Sequence, residues 1–562
     1  MIDDGVRARD GSASRLWSMV AAVVLVLVGA AGAWRAAVTG ADFMYDLEQP
    51  RSPLARSEPV IVDPHTRRLS DHVVLVIVDG LRWDASRKMR YLATLRAAGV
   101  DSHATSHYPT WSRPNYVSIL TGVPPQASGV RTNRHYTPVS LDSLMDRVHA
   151  AGLHSASASD ASPLPALFLR PVDPAQKAAV DKVDIDVMLD KEEDDDIPPM
   201  PELELRSPFD DGRYTPWPGG LVDAVREQLA AGHDLQVILI SMVDNAGHAH
   251  GADSREYADA VQVADRTLAR VLPALDLAHD TIIVTADHGH TGPGGHGGLE
   301  PEVLYVPLVV VGAGVRPGAL PLDARLIDLA PTAAALLGIP APGHGLGRTL
   351  TEILDLTPAE VAARQQADAT RLAVTEKVVR DSRAQSLLDE LRHRGRRLFS
   401  IAAVGGGLVA LALWLRRRRG VIFAWRSLAL GVPVFFVVYY AMIAALGQRF
   451  SPSFLPERGH IALELAKYGV IGVVAHVVVG WLVLRRRHDL AERLALANGN
   501  ALVGLGLTMV PAGLMWAFFP PPYVEVPGPR LLVLIPAVQV ALALYAIAIL
   551  LALLVEVVVF FA

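Results

Sequence analysis

The chain has 562 residues, a formal net charge of −6, no cysteine and a hydrophobic fraction of 51%. This length exceeds one compact core, and the small net charge lacks the clustered basic face that a nucleic-acid-binding protein would need. The absence of cysteine excludes disulfides and thiolate metal sites, so any metal must be held by His, Asp or Glu.

An apolar run begins close to the N-terminus. Residues 16–34, LWSMVAAVVLVLVGAAGAW, approach the ~20 residues that a helix needs to cross a bilayer, and three arginines precede them. The pattern predicts a signal anchor over residues 1–38, followed by a linker over 39–69. A cleaved signal peptide is the alternative, because small residues such as Ala31 end the run.

Between residues 70 and 390, apolar strand-like runs alternate with helix-like segments. The runs are HVVLVIV, LQVILISMV and TIIVTA, and the helical patterns lie near residues 88–98 and 255–274. This alternation indicates an α/β domain with a mostly parallel sheet flanked by helices. The acidic, proline-containing tract over 190–202 is predicted to be a solvated, partly disordered loop.

The segment YPTWSRPNYVSIL, residues 108–120, contains a helix start. Pro is favoured at the first helical position, which predicts a start at Pro114 with Ser112 just upstream. A hydroxyl there would lie beside free backbone N–H groups, and this suits either a bound anion such as phosphate or an ordinary helix cap. The segment alone leaves both interpretations open.

Five further apolar runs follow, at about 398–415, 428–446, 468–484, 501–520 and 531–560. They predict an all-α transmembrane region over residues 391–562 and, with the N-terminal run, six spans in all. If the N-terminus is cytoplasmic, the middle domain is extracytoplasmic (periplasmic or lumenal). The basic loops at 416–419 and 485–487 are then cytoplasmic, as the positive-inside rule prefers. The basic stretch at 392–397 would lie outside and opposes this topology.

Each of the three apolar runs leads into an acidic residue. HVVLVIV is followed by Asp79, LQVILISMV by Asp244 and TIIVTA by Asp287. Ligands bind beyond the carboxyl ends of the strands in open α/β sheets, so these acids should meet at one edge. A single Asp after a strand is usually a turn residue or a helix cap, but three of them, two with histidines nearby, favour a functional site.

Histidines accompany these acids. His248 follows Asp244 by four residues, His288 follows Asp287 directly, and His296 lies in the glycine-rich segment GPGGHGG. Six Asp and His ligands exceed what one tetrahedral zinc can take, so the pattern predicts two divalent metal ions, with zinc favoured and manganese as the alternative. Paired ions roughly 3.5–4 Å apart can hold both oxygens of an in-line displacement at phosphorus.

Together these residues resemble the metal-and-nucleophile signature of the alkaline phosphatase superfamily. Within it, the chain most resembles the type I phosphodiesterase/nucleotide pyrophosphatase branch, whose motif P-T-x-[TS]-x-P-N matches residues 109–115. The similarity covers roughly residues 70–350. It implies an alkaline phosphatase-like fold and a metal-dependent phosphoric ester hydrolase or phosphotransferase.

The resemblance also implies a role for each site residue. Ser112 is expected to be the nucleophile and to form a covalent phosphoryl intermediate, with Thr110 as the fallback. His250 and His290 are expected to lie beside the ligands or in solvent without coordinating a metal. The implied ligands are Asp244, His248 and His296 for one ion, and Asp79, Asp287, His288 and the Ser112 oxygen for the other.

A phosphodiester is the substrate that the resemblance implies. Asn133 matches the family asparagine that contacts a phosphoryl oxygen, although a turn residue is an equal interpretation. As a neutral donor it stands where a monoesterase would place an arginine to match a dianion. Three arginines lie close enough in sequence to take that part, namely Arg113, Arg131 and Arg134.

Related functions remain as alternatives. GPI ethanolamine-phosphate transferases are similar in layout, so transfer to a lipid or glycan hydroxyl is the main one. Sulfatases share the fold, but their C/S-x-P-x-R motif has Arg where this chain has Tyr116. A phosphoglycerate mutase fits a membrane layout poorly. A phosphomonoesterase is a lesser alternative, and a non-enzymatic binding domain would require the whole ligand set to be vestigial.

Overall fold

The fold is described from a computed structural model. The structure describes residues 52–172, 205–419, 425–445, 450–455, 461–486 and 512–561, apart from 136, 162, 216 and 217, together with Phe43–Glu48 and isolated positions elsewhere. Three features predicted from the sequence lie wholly or largely outside these residues: the anchor at 16–34, the acidic tract at 190–202 and the first half of the run at 501–520.

A seven-stranded sheet forms the centre of the domain that precedes the C-terminal helices. The described strands, of which β4 and β5 lie outside this sheet, are β1 (His72–Val78), β2 (Val100–Thr105), β3 (Ser155–Ser159), β4 (Arg170–Pro171), β5 (Leu205–Arg206), β6 (Asp211–Tyr214), β7 (Leu235–Ile240), β8 (Asp280–Thr285) and β9 (Tyr305–Gly312). The order across the sheet is β2-β9-β8-β1-β7-β3-β6, and β4 pairs only with β5 among the described strands. All pairings within the sheet are parallel except those of β9, which confirms the mostly parallel sheet predicted from the sequence.

Helices flank this sheet and then form a separate C-terminal block. They are α1 (Phe43–Glu48), α2 (Trp83–Ser86), α3 (Arg90–Ala98), α4 (Ser112–Thr121), α5 (Pro125–Ser128), α6 (Leu144–Ala150), α7 (Pro163–Ala166), α8 (Pro218–Ala231), α9 (Met242–His250), α10 (Arg255–Val271), α11 (Pro301–Leu304), α12 (Leu329–Leu336), α13 (Pro358–Arg419), α14 (Trp425–Ala445), α15 (Ile461–Leu484) and α16 (Pro529–Phe561). Short 3-10 turns lie between them, and one of these, Pro452–Phe454, connects α14 and α15.

The central strands form because their side chains are apolar on both faces. Six of the seven residues of β1 are buried, as are all six of β7 and of β8. Continuous Val, Ile and Leu runs suit a strand that is covered by helices on both sides. Since β1 lies between β8 and β7, the carboxyl ends of the three strands meet at the middle of one sheet edge.

Two boundaries differ from those expected from the sequence. Strand β7 ends at Ile240 and helix α9 begins at Met242, so Asp244 lies in the first turn of a helix and not at the end of a longer strand. Helix α4 begins at Ser112, two residues before Pro114, with extended Trp111 as its N-cap. Proline is tolerated throughout the first helical turn, where N–H groups have no intrahelical partner, so Pro114 marks the turn but not its first residue.

The C-terminal block contains two helices that are long and apolar enough to cross a membrane, Ile461–Leu484 and Pro529–Val555. Helix α14 contains the shorter apolar stretch Pro433–Ala445. The run predicted at 398–415 is the last part of α13, a helix of 62 residues that begins against the sheet domain. The domain boundary predicted at residue 391 therefore falls inside a continuous helix.

Candidate active site

The three strand-end acids come together as expected. The backbone N–H of Gly80, directly after Asp79, donates to Oδ1 of Asp287 at 3.2 Å. Gly80 has a φ of +70°, and a Cβ on it would lie 2.7 Å from the Cα of Asp244. Only glycine fits where the chain turns this tightly beside a neighbouring segment. The ends of β1, β7 and β8 are thus held within one small volume.

Ser112 lies next to this cluster at the first residue of α4. Its Oγ is 3.0 Å from Nε2 of His288, and the residue is buried. Asn115 holds the preceding loop, because its side-chain amide donates to the backbone carbonyls of His107, Pro109 and Trp111. The Asn of the sequence motif therefore supports the loop before Ser112, a role that the sequence alone did not assign.

A first potential metal group consists of Asp79, Asp287 and His288. Nε2 of His288 lies 3.4 Å from Oδ1 of Asp79 and 3.3 Å from Oδ2 of Asp287. These two oxygens, Oδ1 of Asp79 and Oδ2 of Asp287, are buried and have no hydrogen-bond partner among the described residues. The hydroxyl of Tyr116 donates to the other oxygen of Asp79. Tyr116, noted in the sequence only for its departure from the sulfatase motif, thus supports a ligand.

A second potential group consists of Asp244, His288, His290 and His296. His248 lies at its border, with Nε2 3.0 Å from Nε2 of His296 and 3.5 Å from Oδ2 of Asp244. The rings of His288 and His296 stack with their centroids 3.6 Å apart, which joins the two groups. All seven residues predicted from the sequence as ligands therefore lie together. His250 is exposed, but His290 is buried within the site.

Hydrogen bonds fix the tautomers of two histidines. Nδ1 of His288 lies 3.1 Å from the carbonyl oxygen of Gly289, and Nδ1 of His296 lies 2.7 Å from that of Thr110. A carbonyl oxygen only accepts, so each Nδ1 must carry the proton and each Nε2 presents a lone pair to the cluster. Metal-ligating histidines are commonly held in this way by a carbonyl behind the ring.

His290 is held in the opposite tautomer. The backbone N–H of Gly295 donates to its Nδ1 at 3.1 Å, so the neutral ring carries its proton on Nε2. That nitrogen lies 2.7 Å from Oδ1 of Asp244 and donates to it. Gly247 makes room for the ring, since a Cβ there would lie 2.6 Å from the ring atoms. The hydrogen bonds thus favour His290 as a residue that orients Asp244.

The carboxylates perturb one another strongly. Burial, followed by the charges of Asp287 and Asp244, raises the pKa of Asp79, and burial with the charge of Asp244 raises the pKa of Asp287 to about 7. For Asp244, burial acts to raise the pKa, but the hydrogen bond from His290 and the nearby imidazoles outweigh it and lower the pKa. A bound cation would stabilise the ionised forms of these carboxylates and would occupy the space beside the two unpartnered oxygens.

Asn133 lies beside the start of α4. Its Oδ1 accepts a hydrogen bond from the backbone N–H of Arg113 at 3.0 Å. The guanidinium groups of two of the nearby arginines are directed to backbone carbonyls. Arg113 donates to His135, and Arg131 donates to Tyr523 and Val524 in the C-terminal block.

Comparisons with known proteins match the central domain. Residues 73–293 match the family model "Type I phosphodiesterase / nucleotide pyrophosphatase". The chain is 25% identical over 360 residues to GPI ethanolamine phosphate transferase 1 of Emericella nidulans, covering 53% of this chain and 36% of that protein. The human protein of the same name is 26% identical over 334 residues, covering 52% and 34% respectively. The chain thus spans about a third of the length of these relatives.

A shorter match joins the chain to a mutase. Over 139 residues it is 37% identical to the 2,3-bisphosphoglycerate-independent phosphoglycerate mutase of Roseobacter denitrificans, covering 23% of this chain and 26% of that protein. Among solved structures, murine ectonucleotide pyrophosphatase/phosphodiesterase 5 matches with a TM-score of 0.36 at 14% identity, covering 48% of this chain and 96% of that one. The family match and the matches to the transferases confirm the resemblance predicted from the sequence.

Proposed function

We propose that the chain is a two-metal enzyme that cleaves a phosphodiester with Ser112 as the nucleophile. The observation that carries the proposal is the pair of buried, unpartnered carboxylate oxygens of Asp79 and Asp287, which face the His288 lone pair beside the Ser112 hydroxyl. Oxygen and imidazole donors fit zinc or manganese.

The proposed ligands are those expected from the sequence. Asp244, His248 and His296 would hold one divalent ion, and Asp79, Asp287, His288 and the Ser112 oxygen would hold the other. When bound, such ions lower the pKa of a hydroxyl and stabilise negative charge on the attacking and leaving oxygens. The chain's own residues supply the positions of these groups.

The reaction balances with water or a second hydroxyl as the co-reactant. The Ser112 oxygen attacks phosphorus, the bond to the leaving oxygen breaks, and the Ser112 proton ends on the released alcohol. Water or a second hydroxyl then displaces Ser112 and restores its proton. Ser112 is the first residue of α4, a helix of ten residues, so the anionic group would lie at the helix end that carries a partial positive charge.

Asn133 supports the preference for a diester. Its carbonyl oxygen accepts from the backbone N–H of Arg113, which places an uncharged amide side chain beside Ser112. A diester carries one negative charge, whereas a monoester dianion suits a guanidinium. Arg113 and Arg131 direct their guanidinium groups to carbonyls, which supports the neutral interpretation of this subsite.

We also propose that the catalytic domain lies outside the cytoplasm and that the C-terminal block is embedded in the membrane. The 450–455 turn and the 520–527 loop both contact the catalytic domain. Helix α14 follows the basic cluster at 416–419 in the chain and precedes the 450–455 turn. It has 21 residues and is therefore about 30 Å long. The clusters at 416–419 and 485–487 would then lie at the far membrane surface, which the positive-inside rule makes cytoplasmic.

The stretch at 392–397, which opposed this topology, has local partners. The guanidinium of Arg394 lies 5.0 Å from the ring centroid of Phe518, and that of Arg397 lies 5.9 Å from the ring of Trp516. Long basic side chains stack on aromatic rings and extend their charges toward the interface. Such contacts reduce the weight of these arginines as an orientation signal.

Transfer to a hydroxyl acceptor in place of water is the second candidate. It is favoured by the match to GPI ethanolamine phosphate transferase 1 over about half of this chain. Both reactions share the attack by Ser112 and differ only in the group that displaces it. The lipid- or glycan-linked character of the acceptor belongs to this candidate.

The test uses the purified full-length chain in detergent. We expect two divalent ions per chain by elemental analysis, and a higher kcat/KM for bis-p-nitrophenyl phosphate than for p-nitrophenyl phosphate. A monoester preference of about a hundredfold, roughly 2.7 kcal/mol of transition-state discrimination, would reject the diester claim. One ion or none in active, undialysed protein would reject the two-metal site. Candidate hydroxyl acceptors are then added to the assay. Transfer attaches the phosphoryl group to the acceptor, whereas hydrolysis does not.

A further inference from the structure

A turn in the C-terminal block contacts the loop that carries His296. This turn, residues 451–455, connects α14 and α15 and contains the 3-10 helix Pro452–Phe454. Ser453 is buried, and the turn is reinforced by the Ser451 hydroxyl, which accepts a hydrogen bond from the Ser453 backbone at 3.4 Å. The C-terminal block thus reaches the metal loop directly, far along the chain from it.

The Ser453 hydroxyl bonds to two residues of the segment that follows His296. Its Oγ accepts from the backbone N–H of Gly298 at 2.9 Å and donates to Oε2 of Glu300 at 2.6 Å. The second bond is charge-assisted, and such bonds are stronger than neutral ones. Alanine at this position would remove both bonds and leave a buried N–H without its partner.

Glycines allow the turn to approach on both sides of His296. A Cβ on Gly295 would lie 2.1 Å from the carbonyl oxygen of Ser453, and one on Gly298 would lie 2.3 Å from Oγ of Ser451. At Gly295 the close atom belongs to the backbone and excludes a side chain, whereas a side chain at Gly298 would displace the hydroxyl groups of the turn. The glycines of GPGGHGG therefore serve contact with the C-terminal block as well as the turn of the loop itself.

The loop is held from the opposite side by Thr110. The Thr110 hydroxyl accepts from Gly297 N–H at 2.9 Å and donates to the carbonyl of Gly298 at 3.0 Å, while the Thr110 carbonyl accepts from His296. Gly298 is thus bonded to Thr110 through its carbonyl and to Ser453 through its N–H. The position of the His296 ring depends on both contacts.

We propose that Ser453 is a positioning residue for His296, so that the C-terminal helical block completes the metal site as well as attaching the enzyme to the membrane. This inference rests on the two-metal site proposed above. Supports behind a metal ligand typically contribute 10–100-fold in metal affinity or activity. The block would therefore control how firmly the ion at His296 is retained.

The experiment compares Ser453→Ala, Ser453→Thr and Gln126→Ala in the full-length chain. Gln126→Ala is the matched control, because the exposed Gln126 side chain of α5 accepts a hydrogen bond at 3.1 Å from the backbone N–H of Val526 in the same block and belongs to neither the metal loop nor the loop before Ser112. The readouts are the rate at which a chelator removes metal and the visible absorption spectrum of the Co²⁺-substituted protein, which reports the ligand geometry.

We expect Ser453→Ala to lose one of its two ions about tenfold faster than the parent and to have a changed Co²⁺ spectrum. Ser453→Thr keeps the hydroxyl and should restore both readouts, and Gln126→Ala should match the parent. Gly298→Ala, which pushes the turn away by volume, should behave like Ser453→Ala.

Three outcomes would overturn the proposal. Parent-like metal release and spectrum in Ser453→Ala would reject the positioning role alone, while leaving the two-metal site standing. Equal losses in Ser453→Ala and Gln126→Ala would indicate general loosening of the block and would also reject it. A parent protein that binds no metal would reject the proposed function together with this inference.

Discussion

Replacing His290 separates a residue that orients a ligand from one that is itself a ligand. His290 donates to Asp244 through Nε2 at 2.7 Å and accepts from Gly295 through Nδ1. His290→Phe keeps a planar ring of similar size but removes both bonds. His290→Gln retains an amide N–H that can still donate to Asp244. The two variants therefore differ in whether the side chain at position 290 can donate a hydrogen bond to Asp244.

The size of the effect follows from the kind of bond lost. A hydrogen bond to a charged group contributes about 1.5–3 kcal/mol, and each 1.4 kcal/mol is about tenfold in affinity. We expect His290→Phe to weaken binding of the ion near Asp244 by about 10–100-fold, the range found for other supports of metal ligands. His290→Gln should recover most of that loss.

Competition with a chelator of known affinity measures the dissociation constant, and circular dichroism verifies that each variant is folded. Parent-like metal affinity in His290→Phe would refute the orienting role. A complete loss of one ion in both variants would instead identify His290 as a ligand, and the tautomer argument from Gly295 would then be wrong.

Further substitutions test other parts of the site and the topology. Ser112→Ala should abolish turnover and leave the metal content of the protein intact. Asn133→Ala should lower kcat/KM for the diester by about 10²–10³-fold, the usual cost of losing one donor to a developing negative charge. Gly247→Ala should weaken metal binding in spite of alanine's helix preference of about 1 kcal/mol, because its Cβ would displace the imidazole ring that lies 2.6 Å away. Since the chain has no cysteine, single cysteines report topology: a membrane-impermeant maleimide supplied on the extracytoplasmic side should label exposed Leu320→Cys, and should label Arg417→Cys only after that membrane is permeabilised.

Local sequence patterns were enough to predict the sheet and the position of the site. The run HVVLVIV is apolar on both faces, which suits only a strand buried on both sides, and it forms β1 as predicted. The acids after β1, β7 and β8 meet because parallel strands end at one edge of a sheet. A helix start is less sharply encoded. The apolar residues after Ile240 fit a strand or a helix equally, and α9 begins at Met242.

Supporting contacts could not be predicted, because they join segments that are distant in sequence. Tyr116 bonds to Asp79, and Ser453 bonds to Gly298 from the C-terminal block. Neither hydrophobic periodicity nor a short motif predicts such pairs. For His290, the sequence indicated a place beside the ligands, but its tautomer depends on a backbone N–H that only the folded loop supplies.

Mass spectrometry of the acid-quenched, full-length protein after brief mixing with bis-p-nitrophenyl phosphate tests most directly whether Ser112 attacks a phosphodiester. We expect the peptide containing Ser112 to gain a p-nitrophenyl phosphoryl group as p-nitrophenolate is released, and Ser112→Ala to gain none and release none. An adduct on Thr110, or full turnover by Ser112→Ala, would show that Ser112 is not the nucleophile.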